Sequence, residues 1–429
     1  MEKSFPEVET SPEKTGAKEE IRFLLQETDA PSVAAYVSME GEFEAEFPQY
    51  DVIIEFTNPE AVGPKITTII ASGGVLDVFQ PYPELAVQMA KDKNLLPIDD
   101  VVENLGGKDQ FFANTLLEYD GETVCMPYAA AAPVLWYRTD VFDRLGLKPP
   151  TNWEETEEAA RVISEDGEMA GIALPAGENN YTAIMLINQL YSGGTQVFDK
   201  DGNLQLEGNE RAAAALQHYA NLLKSATEGA ASYSYFESID AFTSGKAAMV
   251  IYWGRVLGRV YDSTPDLIGK VGAVPLPMGL MQAVESEASW NCIYSKTEHA
   301  DASKAWVEFM ARPEQAVKLQ LTVAGHMVPV TQGQKEAFLA SDLPIVKDNL
   351  EIMEVLFGFP AYSVFTGLDM GAIDEENLKI VETNIINPYM AIVFSNGALA
   401  RAIQNVYLND MDPMDALAQA QTELEPLLK

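Results

Sequence analysis

The sequence has little of what enzymes, metal sites and nucleic-acid binders commonly depend on. It contains 2 cysteines, 3 histidines and only 28 lysines and arginines against 65 acidic residues, which gives a net charge of −37. A surface this acidic repels phosphate backbones, so we expect no nucleic-acid partner. The histidines are far apart and form no H-E-x-x-H motif, and the P-loop, dinucleotide-binding and G-x-S-x-G motifs are absent. We therefore expect no metal, no cofactor and no catalytic residues.

Long apolar runs are also missing. One long uncharged stretch, residues 384–400, contains Pro388 and Gly397 and falls short of the ~20 apolar residues of a membrane-spanning helix. Cys125 and Cys292 make no disulfide framework. We expect two buried thiols, because unpaired cysteine is among the most buried residue types, although their spacing leaves a pairing open.

The N-terminal residues 1–20 are rich in Glu, Lys, Ser, Thr and Pro, a composition typical of a flexible tether. Met1 is not followed by the positively charged region and apolar core of a signal peptide. The chain is therefore either cytosolic, or Met1 stands where an export signal has been removed.

After the tether, strand-like and helix-like segments alternate, which is typical of a parallel sheet covered by helices. IRFLLQ, DVIIEF and LDVFQ are predicted strands, and a helix is predicted to start at Thr151 as N-cap with Glu154 completing a capping box. The same patterns predict strands at 171–175, 247–253 and 271–276 and helices at 210–226, 299–311, 388–408 and 413–428.

One segment partly matches a calcium-binding loop. Asp199, Asp201, Asn203 and Glu210 fall at positions one, three, five and twelve, but Leu204 occupies the sixth position, where the loop needs glycine. A hairpin over 197–206 that turns at Asp201-Gly202 accounts for the same residues, and we favour it.

Aromatic and amide side chains recur at predicted strand ends and in loops. A sugar or polyol has apolar C–H faces and a rim of hydroxyls, so its site needs flat aromatic rings and a few fixed polar groups. Any one such aromatic is more often a core residue. The candidates are Gln80, Tyr82, Tyr128, Trp136, Tyr181, Tyr235, Phe236, Trp253 and Trp290.

Several longer segments occur in a specific order: KITTIIASGGVLDVF, YDGETVCMPYAAAAPVLWYRTDVFDRLGLKPPTNWEE, LYSGGTQVFDKDGNLQL, FTSGKAAMVIYWGRV and HADASKAWVEFMARPEQAVKLQLTVAGHMVPV. In this order the chain resembles the extracellular solute-binding proteins of ABC importers, in the carbohydrate-binding, maltose-binding-protein-like family. The resemblance implies an α/β, two-lobed periplasmic-binding-protein fold, with each lobe a sheet flanked by helices and the ligand cleft between the lobes.

The resemblance also implies the domain division. Residues 1–20 are the tether, residues 21–131 with 291–331 form lobe 1, and residues 132–290 with 332–429 form lobe 2. The chain is expected to cross between the lobes at Pro127–Ala132 and Ser289–Ile293, and to return near Pro329.

A ligand-binding set follows from the same resemblance. Where maltose-binding protein has an acidic residue after the first crossing, this chain has Ala130, Ala131 and Ala132, which makes maltose itself a poor candidate. The segment 357–365, FGFPAYSVF, is expected either to add a wall to the cleft or to be a packed loop. The implied set is Glu27, Gln80, Tyr82, Tyr128, Asn180, Tyr181, Tyr235, Trp253, Arg255, Trp290 and Asn291.

The implied function is that of a binding receptor, not an enzyme. The protein would capture a neutral sugar, oligosaccharide or polyol, close by hinge rotation and deliver the solute to the membrane subunits of an ABC permease. It would act as a monomer in the periplasm or outside the cell, free or lipid-anchored. Two alternatives remain: an anionic sugar phosphate or sugar acid held by Arg138, Arg255 and Arg259, and a secreted glycan-cleaving enzyme.

Overall fold

The computed structural model describes residues 18–27, 29–113, 115–365, 370–381, 383, 385 and 387–428. Residues 1–17, most of the predicted tether, lie outside this range. The strands are β1 (Glu19–Gln26), β2 (Tyr50–Thr57), β3 (Val78–Phe79), β4 (Leu117–Tyr119), β5 (Glu122–Ala131), β6 (Val134–Arg138), β7 (Met249–Tyr252), β8 (Val271–Val274), β9 (Val284–Ile293), β10 (Ser363–Phe365), β11 (Ile373–Asp374) and β12 (Lys379–Ile380).

Helices cover the sheets and form most of the C-terminal part. They are α1 (Ala30–Glu46), α2 (Pro59–Ser72), α3 (Pro83–Lys91), α4 (Asp99–Asn104), α5 (Thr139–Leu145), α6 (Trp153–Asp166), α7 (Asn180–Ser192), α8 (Glu210–Leu223), α9 (Tyr235–Thr243), α10 (Arg255–Ser263), α11 (Ala300–Ala311), α12 (Pro313–Gln320), α13 (Gln332–Leu339), α14 (Pro344–Lys347), α15 (Leu350–Leu356), α16 (Met390–Asn396), α17 (Ala398–Asn409) and α18 (Pro413–Leu424). In the described part of the chain, none of these helices combines the length and the apolar character that crossing a bilayer requires.

A seven-stranded sheet organises the first lobe in the order β2-β1-β3-β9-β5-β4, with β10 pairing β9. β1 pairs in parallel with β2 and β3, while β9 runs antiparallel to β3 and β5. Side chains of β1 alternate between two cores, Ile21, Phe23 and Leu25 facing one and Leu24 the other, as the two-residue period of a strand requires. Both faces of this sheet are therefore buried under helices.

The second lobe is built around the three-stranded sheet β7-β6-β8 and a larger helical core. The predicted strand at 171–175 is reduced to single bridges, Ile172 to Ala226 and Ala173 to Val250. The predicted helix at 388–408 is divided into α16 and α17 at Gly397, whose φ of 80° favours glycine. These two lobes confirm the expected α/β architecture.

Three passages of the chain meet at Ala130. Ala130 pairs with Ala288 of β9 on one side and bridges Val328 on the other. The register of β5 against β9 shifts between Pro127 and Ala129, so the pairing of these two strands is irregular directly before Ala130. Ala288 lies one residue before the predicted second crossing.

The expectation of two free thiols is wrong. Cys125 and Cys292 face each other in register on β5 and β9 and form a disulfide. Both are completely buried in the core under α2 and α3. Their separation of 167 residues gave no hint of this pairing, because strand order, and not spacing, makes them neighbours.

Two local predictions are adjusted by the structure. β1 already begins at Glu19, so the last two residues of the predicted tether belong to the sheet. Helix α6 is capped by Asn152, whose side chain accepts from the Glu155 N–H, and not by Thr151 with Glu154.

The hairpin prediction at 197–206 is confirmed by the bridge between Phe198 and Leu204. The Asp199 carboxylate accepts hydrogen bonds from the backbone N–H groups of Asp201 and Asn203 and from the Asn203 amide. The turn itself therefore explains why an aspartate stands at this position.

Candidate functional site

A cavity of ≈ 540 Å³ lies between the two lobes, and we call it the interlobe cavity. The side of the seven-stranded sheet supplies the start of α3, the N-terminal half of β9 and the end of β10. The second lobe supplies the starts of α7 and α9 and the end of α16. The lining residues are Tyr82, Pro83, Glu84, Glu285, Glu287, Ala288, Trp290 and Phe365 from the first side, and Asn179, Asn180, Ile184, Tyr235, Phe394, Ser395 and Gly397 from the second.

Within the described residues four helices begin at the interlobe cavity: α3, α7, α9 and α17, whose N-cap Gly397 lines it. Pro83 occupies the first turn of α3, and Asn179 caps α7 by accepting from the Thr182 N–H at 3.1 Å. α9 starts with a capping box formed by Ser234 and Glu237. Helix N-termini carry partial positive charge on their free N–H groups, so these starts favour electron-rich oxygens such as those of hydroxyl groups.

Tyr235 presents an aromatic ring to the interlobe cavity on a rigid support. Its ring stacks on Tyr181 with centroids 4.3 Å apart and an angle of 18° between the planes. Tyr181 is itself fixed by its hydroxyl, which donates to the Ile251 carbonyl at 2.7 Å. Trp253 packs against both rings, at 5.7 and 5.9 Å. Only Tyr235 of this group lines the cavity, whereas Tyr181 and Trp253 are buried behind it.

Several polar side chains that line the interlobe cavity are available to a ligand. Within the described residues, the side chains of Glu84, Asn180, Tyr235 and Glu287 make neither a hydrogen bond nor an ion pair. Two carboxylates, an amide and a phenol together can accept from and donate to a molecule rich in hydroxyl groups. This is the polar complement that the aromatic ring of Tyr235 requires in a carbohydrate site.

Glu287 sits in an electrostatically unfavourable place. Enclosure by the protein raises the pKa of its carboxyl to about 7, the nearby Glu84 contributes in the same direction, and Arg255 opposes the shift. The side chain is nevertheless accessible from the cavity. A charged group held in this way is stabilised when a ligand donates hydrogen bonds to it.

Tyr128 and Glu27 lie beside the cavity without lining it. Burial raises the pKa of the Tyr128 hydroxyl, a hydrogen bond with Ser289 lowers it, and the charges of Glu27 and Glu287 raise it further. The Glu27 carboxylate accepts from the Asp29 N–H at 2.8 Å. Neither residue lines the cavity, although the charges of Glu27 and of the lining residue Glu287 act on Tyr128.

Gln80 and Asn291 are brought together, but in the protein interior. The Gln80 amide donates to the Asn291 side-chain oxygen at 2.9 Å and to the Tyr36 hydroxyl at 2.8 Å. Both amides are 2% exposed. This network fixes β3 against β9 below the cavity, which orients the strand that carries Glu285 and Glu287.

Trp290 lines the cavity but is almost completely buried. It is 1% exposed, belongs to the core under α2 and α3, and donates from its indole nitrogen to the Thr115 carbonyl at 2.7 Å. The indole N–H of the buried Trp253 has no acceptor among the described residues. Most of both indole surfaces is covered by protein.

The arginines proposed for an anion clamp do not converge. Arg138 is held by Asp140 in a two-pronged ion pair at 2.7 and 2.8 Å, and Arg259 pairs with Asp240 at 2.7 Å. Arg255, the first residue of α10, is exposed and close to His326, whose pKa falls to about 3 through burial and this neighbouring charge. None of the three lines the interlobe cavity.

Sequence reasoning missed several lining residues. Glu285, Ser286 and Glu287 follow one another in a strand. Such a polar run is unusual in a segment that crosses between lobes, and it could have indicated that these residues line the cavity. Phe365 shows that the segment 357–365 does both things expected of it, because β10 packs beside β9 and its last residue lines the cavity. Phe394, Ser395 and Gly397 gave no signal, since their position depends on the packing of α16 against α7.

Together these features describe a two-lobed α/β binding protein with its site between the lobes. The model of the family described as bacterial extracellular solute-binding protein matches residues 26–317, more than half of the chain. The chain belongs to this family.

Relatives extend the match over the whole length. YcjN of Escherichia coli (strain K12), provisionally named an ABC transporter periplasmic-binding protein, is 25% identical over 435 residues, which cover 97% of this chain and 95% of YcjN. An arabinooligosaccharide-binding protein of Halalkalibacterium halodurans is 23% identical over 344 residues, 77% of this chain and 72% of that protein.

Solved structures share the fold. The sugar-binding protein MalE from Xanthomonas citri matches with a TM-score of 0.76 at 17% identity, covering 95% of this chain and 97% of that one. Maltose-bound MalE3 of T. maritima matches with a TM-score of 0.73 at 20% identity, covering 95% and 99%. The chain is thus a solute-binding protein of a family that works outside the cytoplasm, and it is not an enzyme.

Proposed function

We propose that this protein is the receptor of an ABC importer that captures a neutral sugar, oligosaccharide or polyol in the interlobe cavity. The observation that carries the proposal is the combination of the Tyr235 ring with polar side chains that have no partner in the described chain, all facing one cavity between two lobes. Relatives named for arabinooligosaccharide and lactose binding support a carbohydrate ligand.

Residues that line the cavity are proposed to touch the solute directly. Of the sequence-derived set these are Tyr82, Asn180, Tyr235 and Trp290. The other members are proposed to act through them or to reach the solute when the lobes close. They are Glu27, Gln80, Tyr128, Tyr181, Trp253, Arg255 and Asn291.

The lobes are proposed to be residues 21–131 with 291–331 and residues 132–290 with 332–429. The change of sheet between β5 and β6 and the separate hydrophobic cores support the first boundary. β9 and β10, which these bounds assign mostly to the second lobe, pair within the seven-stranded sheet. Ala130, where three passages meet, is then the natural centre of a hinge. Closure would bring Tyr235 toward β9 with the solute between them, and the permease would recognise the closed form.

The buried disulfide supports an extracytoplasmic location. Disulfides persist in oxidising compartments and are rare in the cytosol. The Cys125–Cys292 pair therefore favours export over the cytosolic alternative that the N-terminus left open. We further propose that the protein acts as a monomer, either free or attached to a lipid anchor.

A thermal-shift screen tests the function. Sugars, disaccharides, polyols, sugar acids and glycerol phosphate would be added to the purified chain, because a solute present at 100 times its Kd stabilises by about 2.7 kcal/mol. We expect hits among neutral polyhydroxylated compounds and compaction in small-angle scattering with each hit. Hits confined to sugar phosphates and sugar acids would contradict the proposed ligand class, and an unchanged radius of gyration would contradict hinge closure.

A further inference from the structure

The interlobe cavity is lined by charges of one sign. Its lining contains Glu84, Glu285 and Glu287 and, within the described residues, no lysine, arginine or histidine. The arginines that could have balanced them are paired elsewhere, apart from Arg255, whose charge affects Glu287 less than the opposing charge of Glu84 does.

These carboxylates line a cavity between the two lobes and do not lie on the open surface. Glu285 is 5% exposed, whereas the side chains of Glu84 and Glu287 are exposed toward the cavity, and the surrounding protein still penalises the charge of Glu287. Placing a carboxylate in such a position costs free energy unless a partner compensates for it. Glu287 has no hydrogen-bond or ion-pair partner in the described chain, so its carboxylate is open to a cationic group of a ligand.

The negative field extends across the cavity to the second lobe. Burial raises the pKa of the Tyr235 hydroxyl, and the charges of Glu287 and Glu285 raise it further, so both carboxylates act on the ring that faces them. A cation placed between β9 and Tyr235 would meet the carboxylates on one side. It would meet the face of an aromatic ring, which also attracts cations, on the other.

We infer that the interlobe cavity favours a polyhydroxylated solute that carries a protonated amine, a basic amino sugar, over its neutral counterpart, and both over an anionic one. This inference rests on the proposed function and narrows the class of solute. The amine would lie against Glu287 and Glu84, while the hydroxyls would use Asn180, Tyr235 and the helix starts. The cavity volume of ≈ 540 Å³ is within the range of small-ligand sites, so the amine and the sugar ring fit together.

The test uses matched sugars that differ in charge. Titration calorimetry at pH 8 and low salt would compare glucosamine, glucose and glucuronate, and the corresponding disaccharides chitosan dimer, cellobiose and cellobionate. An N,N,N-trimethylated amino sugar, whose quaternary ammonium keeps its positive charge at any pH, would serve as the cation because the parent amine is partly deprotonated at pH 8. We expect the amine to bind at least tenfold more tightly than the neutral sugar, about 1.4 kcal/mol.

A variant pair assigns the effect to the cavity. Glu287→Gln removes the carboxylate and keeps its shape, so the ratio of amine to neutral affinity should fall at least fivefold. Glu122→Gln at the exposed start of β5 changes the net charge by the same amount and should leave this ratio unchanged. The ratio, and not the absolute affinity, is the readout, because Glu287 also contacts the hydroxylated part of the solute.

The outcomes separate the inference from the function on which it rests. Neutral sugars that bind as tightly as the amines would overturn the inference and leave the sugar receptor intact. A preference for the amine that survives Glu287→Gln would overturn the assignment to this carboxylate. Failure of every member of the panel to bind would overturn both the inference and the proposed function.

Discussion

Removing the disulfide should destabilise the protein strongly while leaving the native fold accessible. Replacing Cys125 and Cys292 together by alanine frees a loop of 167 residues in the unfolded chain. The chain-entropy relation for a loop of that length gives about 5 kcal/mol, and the usual range for native disulfides is about 2–5 kcal/mol. Because both sulfurs are buried, the double variant also loses packing, which acts in the same direction.

Urea unfolding followed by tyrosine and tryptophan fluorescence measures this loss. The wild-type protein should behave identically with and without a mild reductant under native conditions, since the disulfide is completely buried. Reduction in urea should then reproduce the stability of the double alanine variant. A loss below about 0.5 kcal/mol in both the reduced protein and the variant would refute the pairing or its contribution.

Three further predictions follow from single sites. Because the folded pKa of Glu287, about 7, lies above its ordinary value of 4.5, its ionisation lowers stability as pH rises from 4.5 to 7. Glu287→Gln should match the wild-type melting temperature near pH 4.5 and exceed it above pH 7. The raised pKa alone corresponds to a stability gain of about 3 kcal/mol for the variant, and contact with water in the cavity reduces the expected gain to about 1 kcal/mol. An equal difference in melting temperature between variant and wild type at both pH values would contradict the raised pKa of this carboxylate. Trp290→Ala should cost ~3–5 kcal/mol of stability, because the indole is 1% exposed. The loss in free energy of sugar binding should be smaller than this loss in free energy of unfolding. Chelator treatment should not change the melting temperature, because the Asp199 carboxylate is already occupied by three hydrogen bonds within its turn, and a fall that added calcium reverses would show a bound ion.

The sequence predicted the architecture well because the architecture depends on local patterns. The alternation in IRFLLQ and DVIIEF and the helical spacing in ADASKAWVEFMA are visible in short windows, and the structure has β1, β2 and α11 there. Helix ends were less accurate: Asn152 and Thr151 are both good caps, and the choice between them depends on the bond to Glu155.

The site was harder to predict because a cavity is made by packing between distant segments. Tyr181 and Tyr235 were both candidate platforms, but only their stacking decides which ring faces the solute. Gln80 and Asn291 were both predicted to bind the ligand, whereas in this arrangement they hydrogen-bond to each other in the protein interior. Glu287 was overlooked because acidic residues are common in this chain, and its unusual enclosure appears only in three dimensions.

The most direct test of the central claim is to titrate the best solute of the panel into the Tyr235→Ala variant. Phe236→Ala is the matched control, because Phe236 is the next residue of α9, is 72% exposed and does not line the interlobe cavity. Stacking of a sugar face on the ring contributes about 1–3 kcal/mol to the free energy of binding. Tyr235→Ala should therefore weaken binding by roughly 5- to 150-fold, and Phe236→Ala by no more than about twofold. Melting temperatures of both variants would show that they remain folded. Equal affinities of the folded Tyr235→Ala variant and the wild-type protein would contradict the claim that the solute binds between the lobes against this ring.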